Sequence, residues 1–189
     1  MPCAASPALP APGLSAAGQA RRHCLRLAPG LYGGLLAALA LAAHALEPPT
    51  GAVVLTVGGR VRNSNDGRRA QFDMAMLEAL PQRVVVTRTP WFSQARRFTG
   101  PLLRDVLSAA GAQGTMLRLI ALNDYQVDMP FDDAQRHDVV IARLLDDKPM
   151  AVRDKGPLFV IYPFDARPEL RSAVYYSRSA WQLRTIDVL

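Results

Sequence analysis

Beyond residue 50 the apolar positions fall in short runs of strand length rather than in long helical stripes. Val53-Val54-Leu55-Thr56-Val57 is a β-rich run closed by Gly58-Gly59, and Asn63 to Gly67 carries turn chemistry. Val84-Val85-Val86 predicts a buried strand. Met116 to Ala121, Val127 to Met129, Val139 to Leu145 and Leu158 to Tyr162 predict further strands, bounded by Asn, Asp, Gly and Pro. The Leu158 run has no alternation, which predicts cover on both faces. Trp181 to Val188 mixes apolar and polar positions and predicts a final edge strand. Two short helices interrupt this pattern. Asp73 is placed to cap Met74 to Leu80, with Phe72 and Leu77 as a hydrophobic staple and Pro81 as the stop. Gly100-Pro101 would open the second, whose apolar face is Leu102, Leu103, Val106, Leu107 and Ala110, with Gly111 at its C-terminal end. The pattern is α+β, mostly β.

The first 45 residues follow different rules. They hold Arg21, Arg22 and Arg26, no acidic residue, and then an apolar run from Leu31 to Ala43. That run has the length of a signal-peptide core and is too short to span a bilayer. Ala43-His44-Ala45 fits the small-x-small cleavage pattern, and Glu47-Pro48-Pro49 follows it. Residues 1–45 therefore read as a signal peptide cleaved near Ala45, which implies a periplasmic protein with no stable membrane span after cleavage. Arg21-Arg22-His23-Cys24-Leu25-Arg26 also loosely resembles a twin-arginine export signal. Residues 46–189 have the size of a single domain, undivided by a linker or an internal repeat.

Cleavage changes the available chemistry. The leader takes three of the 22 basic residues, leaving 19 against 16 acidic ones. The remaining arginines are scattered singly or in pairs, which argues against a nucleic-acid partner. Both cysteines, Cys3 and Cys24, lie in the leader, so the mature chain has no disulfide, thiolate ligand or cysteine nucleophile. Its single histidine, His137, cannot build a Cys/His zinc site, and no serine sits in a nucleophile motif. Asp133 and His137 share a helical spacing and read as a solvated pair in a connector. Asp132-Asp133 and Asp146-Asp147 read as turn residues, because sequence neighbours point apart on a strand. No catalytic residue and no metal ligand is assigned.

Two loops carry more promising side chains. Thr87-Arg88-Thr89-Pro90-Trp91-Phe92 follows a strand and breaks it at Pro90, placing Thr89 and Trp91 at a strand end, a common position for ligand-holding groups. Arg153-Asp154-Lys155-Gly156-Pro157 puts two cations in a Gly-Pro loop before the Leu158 strand, where charge and free backbone N–H groups suit an anion.

In order and spacing, five segments resemble the molybdopterin-binding domain of the sulfite oxidase family over roughly Leu55 to Val188. They are Phe98-Thr-Gly-Pro-Leu-Leu-Arg-Asp-Val-Leu107, Asn123-Asp124-Tyr125, Asp138-Val-Val-Ile-Ala142 with Asp147-Lys148-Pro149-Met150, Lys155-Gly156-Pro157-Leu158 through Pro163, and Ser179-Ala180-Trp181 with Ile186-Asp187-Val188. The resemblance implies a sulfite oxidase-type fold with short helices, an oxidoreductase ancestry and a molybdopterin cofactor. It implies cofactor-binding roles for Thr89, Trp91, Asn123, Asp124, Tyr125, Arg153, Lys155 and Trp181. Two positions depart from the family. Its molybdenum-ligating cysteine would fall around Thr87 to Thr89, and its Lys before the Trp is Ala180 here. A threonine hydroxyl is not deprotonated near neutral pH and is a poor thiolate substitute. Two readings follow: an exported protein binding an anionic cofactor or ligand, and a cofactor-free module that binds a small anionic ligand or an envelope redox or sensor protein.

Overall fold

The computed structural model describes residues 46–189. Residues 1–45, with both cysteines and the cleavage site expected near Ala45, lie outside the described residues. In chain order the elements are β1 (Val53–Gly59), β2 (Ala70–Asp73), α1 (Met74–Ala79), β3 (Gln82–Thr89), β4 (Phe92–Pro101), α2 (Leu103–Ala109), β5 (Met116–Ala121) and β6 (Gln126–Pro130). There follow α3 (Phe131–Arg136), β7 (Val140–Ala142), β8 (Leu144–Leu145), β9 (Lys148–Pro149), β10 (Phe159–Ile161), α4 (Ala173–Arg178) and β11 (Leu183–Val188). The α+β character, with strands dominant, is as the sequence pattern predicts. Among the described residues no helix is long and apolar enough to cross a membrane.

Asp73 organises the start. Its carboxylate accepts from Met76 N at 2.8 Å as the cap of α1, and from Gly51 N and Thr50 N at 2.7 and 2.9 Å. These backbone donors, Met76 N foremost, hold its pKa below the usual carboxylate value. Leu55 and Val57 of β1 alternate inward onto the main core, where they meet Phe72, Leu77, Leu103 and Leu107.

Three sheets result. The largest has the order β2-β1-β11-β5-β6, with β1 and β11 parallel and the other pairs antiparallel. The Trp181 to Val188 segment is therefore not at an edge: β11 lies at the centre of that sheet, between β1 and β5. A second, antiparallel sheet runs β3-β4-β8-β9, and β7 pairs with β10 alone. Val160 of β10 joins the main core, whereas Phe159 and Ile161 join a second cluster with Val85, Phe98 and Val140. A strand shared by two cores needs apolar side chains on both faces, which explains the unbroken Leu158 run.

Other expectations change. Gly100-Pro101 ends β4 instead of opening a helix, because Gly100 passes so close to β7 that a Cβ would meet Ile141 O at 1.9 Å. The helix starts at Leu103, two residues later. Val84 and Val86 are exposed, at 38% and 58%, because β3 is an edge strand and only Val85 faces the core. The Val139 to Leu145 run divides into β7 and β8, which pair with different partners.

Candidate functional site

Three connecting segments and the helix α4 bring aromatic side chains together. Trp91 occupies the two-residue turn between β3 and β4, closed by the Thr89–Phe92 pair. Trp181 bridges to Phe159 just before β11. Asn123 and Tyr125 belong to the β5–β6 connection, and Tyr176 to α4. The Trp91 ring lies 5.6 Å from Trp181 and 6.2 Å from Tyr176, both edge-on at 82°, and 5.3 Å from Phe159. Such edge-to-face packing fixes the rings relative to one another.

These residues enclose a cavity of about 350 Å³ lined by Trp91, Asn123, Tyr125, Tyr176, Ser177, Ser179, Ala180 and Trp181. Tyr125 OH donates to Ser177 O at 3.2 Å, tying the hairpin to the end of α4, and Asn123 Oδ1 accepts from Tyr125 N. Beside this cavity, Lys155 extends its Nζ over the Trp181 ring, 4.3 Å from the centroid. Its backbone oxygen accepts from Gln182 N, and Gln182 Nε2 donates to Val152 O. The cationic loop is thus fastened to the Trp181 segment.

The wall formed by α4 is anchored from behind. Arg178 donates to Asp133 Oδ2 at 2.9 Å, and Tyr162 OH donates to the same oxygen at 2.8 Å. Asp133 is buried, so it is not the solvated connector residue its spacing suggested. Burial, and next the Asp133 carboxylate, push the Tyr162 phenol well above its ordinary pKa. Arg167 donates to His137 Nδ1 at the rim of this network, and the His137 ring packs edge-on against Tyr175.

Of the eight residues singled out in the sequence, Trp91, Asn123, Tyr125 and Trp181 line one cavity, and Lys155 stacks on its edge. Arg153 is at the neighbouring hollow of about 420 Å³ with Phe92, Arg96 and Lys155, its side chain 88% exposed and beside Asp154. Asp124 turns away to pair with Arg184. Thr89 is 8% exposed beside Trp91, and its Oγ1 is buried with no hydrogen-bond partner among the described residues. Tyr176 and Ser177 were missed. Their only sequence signal is an aromatic pair five residues before Trp181, on a helix without a buried stripe.

No family model matches the chain, and no curated protein matches it. Among solved structures, the sulfane dehydrogenase SoxCD from Paracoccus pantotrophus superposes over 71% of this chain with a TM-score of 0.51 and 13% identity. The chain spans 37% of that protein's length. This is a likeness of fold.

The donors present do not suit a thiolate-held metal. Residues 46–189 contain no cysteine, and Thr89, two residues before Trp91 and outside the residues that line the cavity, offers a neutral hydroxyl. No group of three His, Cys, Asp or Glu side chains that could hold a metal occurs among the described residues. What the site offers is aromatic surface, amide and hydroxyl groups, and one ammonium at the rim.

Proposed function

We propose that this chain is an exported binding protein on a sulfite oxidase-type molybdopterin-binding fold, whose aromatic cavity takes a small planar organic anion without molybdenum. The convergence of Trp91, Asn123, Tyr125 and Trp181 on one cavity, with Lys155 on the Trp181 ring, carries this reading. Aromatic walls favour a flat ring, and the ammonium favours a negative substituent. The fold likeness to a sulfane dehydrogenase supports the ancestry, and fold alone does not supply chemistry. A pterin meets the same recognition rules as other flat anions, so pterin without metal belongs to the ligands expected. Export rests on the leader: amino-terminal sequencing of the native envelope protein should begin near Leu46.

The chain has two tryptophans, Trp91 and Trp181, and both line the cavity. Tryptophan-selective fluorescence therefore reports on this site. Titration with pterin-6-carboxylate and with other planar aromatic carboxylates should quench it saturably, and the native protein should carry molybdenum far below one per chain. Absence of quenching by every planar anion would remove the binding reading. Stoichiometric molybdenum with extractable pterin would replace it with a cofactor-bearing oxidoreductase.

A further inference from the structure

Along β3 there is a second hollow, which shares no lining residue with the aromatic cavity. We infer that the groove between the outer edge of β3 and the Pro163 to Arg167 loop docks an extended acidic segment of a partner protein, which adds to β3 as a further strand.

The edge itself is the first observation. In the sheet β3-β4-β8-β9 the two outer strands are guarded very differently. β9 is two residues long and consists of Lys148 and Pro149, both of which discourage strand addition. β3 is eight residues long and has no proline or lysine, and its irregularity is confined to Thr87–Thr89. At that end the edge is closed: Asp165 Oδ2 accepts from Arg88 N at 3.0 Å, and Asp165 N donates to Thr87 Oγ1 at 3.0 Å. From Arg83 to Val86 one side of the strand pairs with β4, and no strand among the described residues pairs with the other side. This stretch offers about 13 Å of backbone at the usual strand rise.

The second observation is the shape and charge beside it. A hollow of about 530 Å³ follows Arg83 to Val86, and Pro163, Ala166 and Arg167 form part of its far wall. A two-walled slot along a bare edge suits an extended chain better than a globular surface. Three guanidiniums, Arg83, Arg136 and Arg167, face it against one carboxylate, Asp138. That carboxylate is already shared between Arg83 at 3.5 Å and Arg104 at 2.8 Å. Arg136 pairs with Asp132 within its own helix, and Arg167 has Glu169 at 3.7 Å while its Nη1 donates to Arg136 O and His137 Nδ1. The lining itself carries three guanidiniums against one carboxylate, a positive balance that a negatively charged segment would meet. The exposed Val84 and Val86 side chains supply an apolar contact for alternate residues of the added strand. The occupant that matches is a β-forming segment alternating apolar and acidic residues.

The test uses the whole protein and two fluorescein-labelled, capped six-residue peptides, one alternating valine with glutamate and the other valine with lysine. Fluorescence anisotropy should show the acidic peptide binding at least tenfold tighter, with hydrogen exchange slowed across residues 83–86. Arg136→Glu and, separately, Val86→Glu should each weaken it about tenfold, and neither should alter the tryptophan emission of the aromatic cavity. Both positions are exposed, so the variants should fold. Equal affinity for the two peptides, or acidic-peptide binding unchanged in both variants, would overturn the inference. So would a dimer in sedimentation that Val86→Glu dissolves, since a second copy would then be the occupant.

Discussion

The ammonium of Lys155 lies 4.3 Å from the centre of the Trp181 indole, joining the cationic loop to the aromatic cavity. No carboxylate pairs with Lys155 among the described residues, and its backbone is fixed through Gln182. It is therefore available to a ligand anion while remaining on the ring. Lys155→Gln should weaken binding of a planar carboxylate about tenfold, the size of one partly screened charge-assisted hydrogen bond. The uncharged analogue of the same ring should lose little. Wild-type affinity for the carboxylate should also fall with added salt, and the variant's much less. Fluorescence titration of both proteins checks each outcome.

The Arg178–Asp133 pair should act on the cavity from behind. Arg178→Met leaves a buried carboxylate with the Tyr162 hydroxyl as its remaining side-chain partner. Loss of one member of such a pair costs roughly 3 kcal/mol. Tyr162→Phe removes a neutral donor to that carboxylate, leaves Arg178 in place, and should cost about 2 kcal/mol. Denaturant unfolding gives both values. Because Arg178 ends α4, whose residues line the cavity, Arg178→Met should also blunt ligand quenching of the tryptophans, whereas Tyr162→Phe should not.

How much of this was legible in the sequence depended on whether local chemistry or a distant partner decided the matter. Asp73 with Phe72 and Leu77 announced α1, because capping is complete within a few residues. Pro90 and the Asn123-Asp124-Tyr125 turn marked loops at strand ends, and Trp91, Asn123 and Tyr125 do meet there. Asp124 does not, because it sits at a positive φ of 62° in the turn and its side chain leaves in another direction. The first half of β4, Phe92 to Arg97, carried no strand signal. It is polar and largely exposed, and its pairing with β3 makes it a strand. The central place of β11 was equally hidden, since its parallel partner β1 lies some 130 residues earlier. The burial of Asp133 depends on Tyr162 and Arg178, both remote in sequence.

Asp73 predicts a pH dependence. Its folded pKa is depressed below 3.8 by the backbone donors at Met76, Gly51 and Thr50. The stability it contributes is therefore fully present above about pH 4 and lost as pH falls through its folded value. Asp73→Asn keeps a capping oxygen but not the charge, so it should lower the melting temperature at pH 7. The gap between the two proteins should narrow steadily below pH 4. Thermal unfolding of both across pH 2.5 to 7 tests this, and a gap independent of pH would mean that the charge on Asp73 contributes nothing.

Thr89 offers the sharpest test of the proposed reading. On β3, Val85, Thr87 and Thr89 face inward, whereas Arg88 faces solvent. The Thr87 hydroxyl accepts from Asp165 N and donates to Arg88 O at 3.3 Å. The Thr89 hydroxyl has no hydrogen-bond partner among the described residues. A buried, unpaired hydroxyl costs on the order of 1 kcal/mol or more, so Thr89→Val should stabilise the ligand-free protein by about that amount. If the ligand supplies the missing partner, the same change should weaken binding, and the two effects would have opposite signs in melting experiments with and without ligand. Thr89→Cys asks the complementary question. Of the three positions Thr87, Arg88 and Thr89, only the last combines an inward direction with a polar atom unpaired among the described residues. A thiolate there, produced in a host that makes molybdopterin, should recruit molybdenum if the cavity still fits the cofactor, while cysteines at 87 and 88 should not. Elemental analysis of the three purified variants decides it. Molybdenum in none of them would mean that the cavity has been reshaped for a different ligand, beyond the loss of a single sulfur.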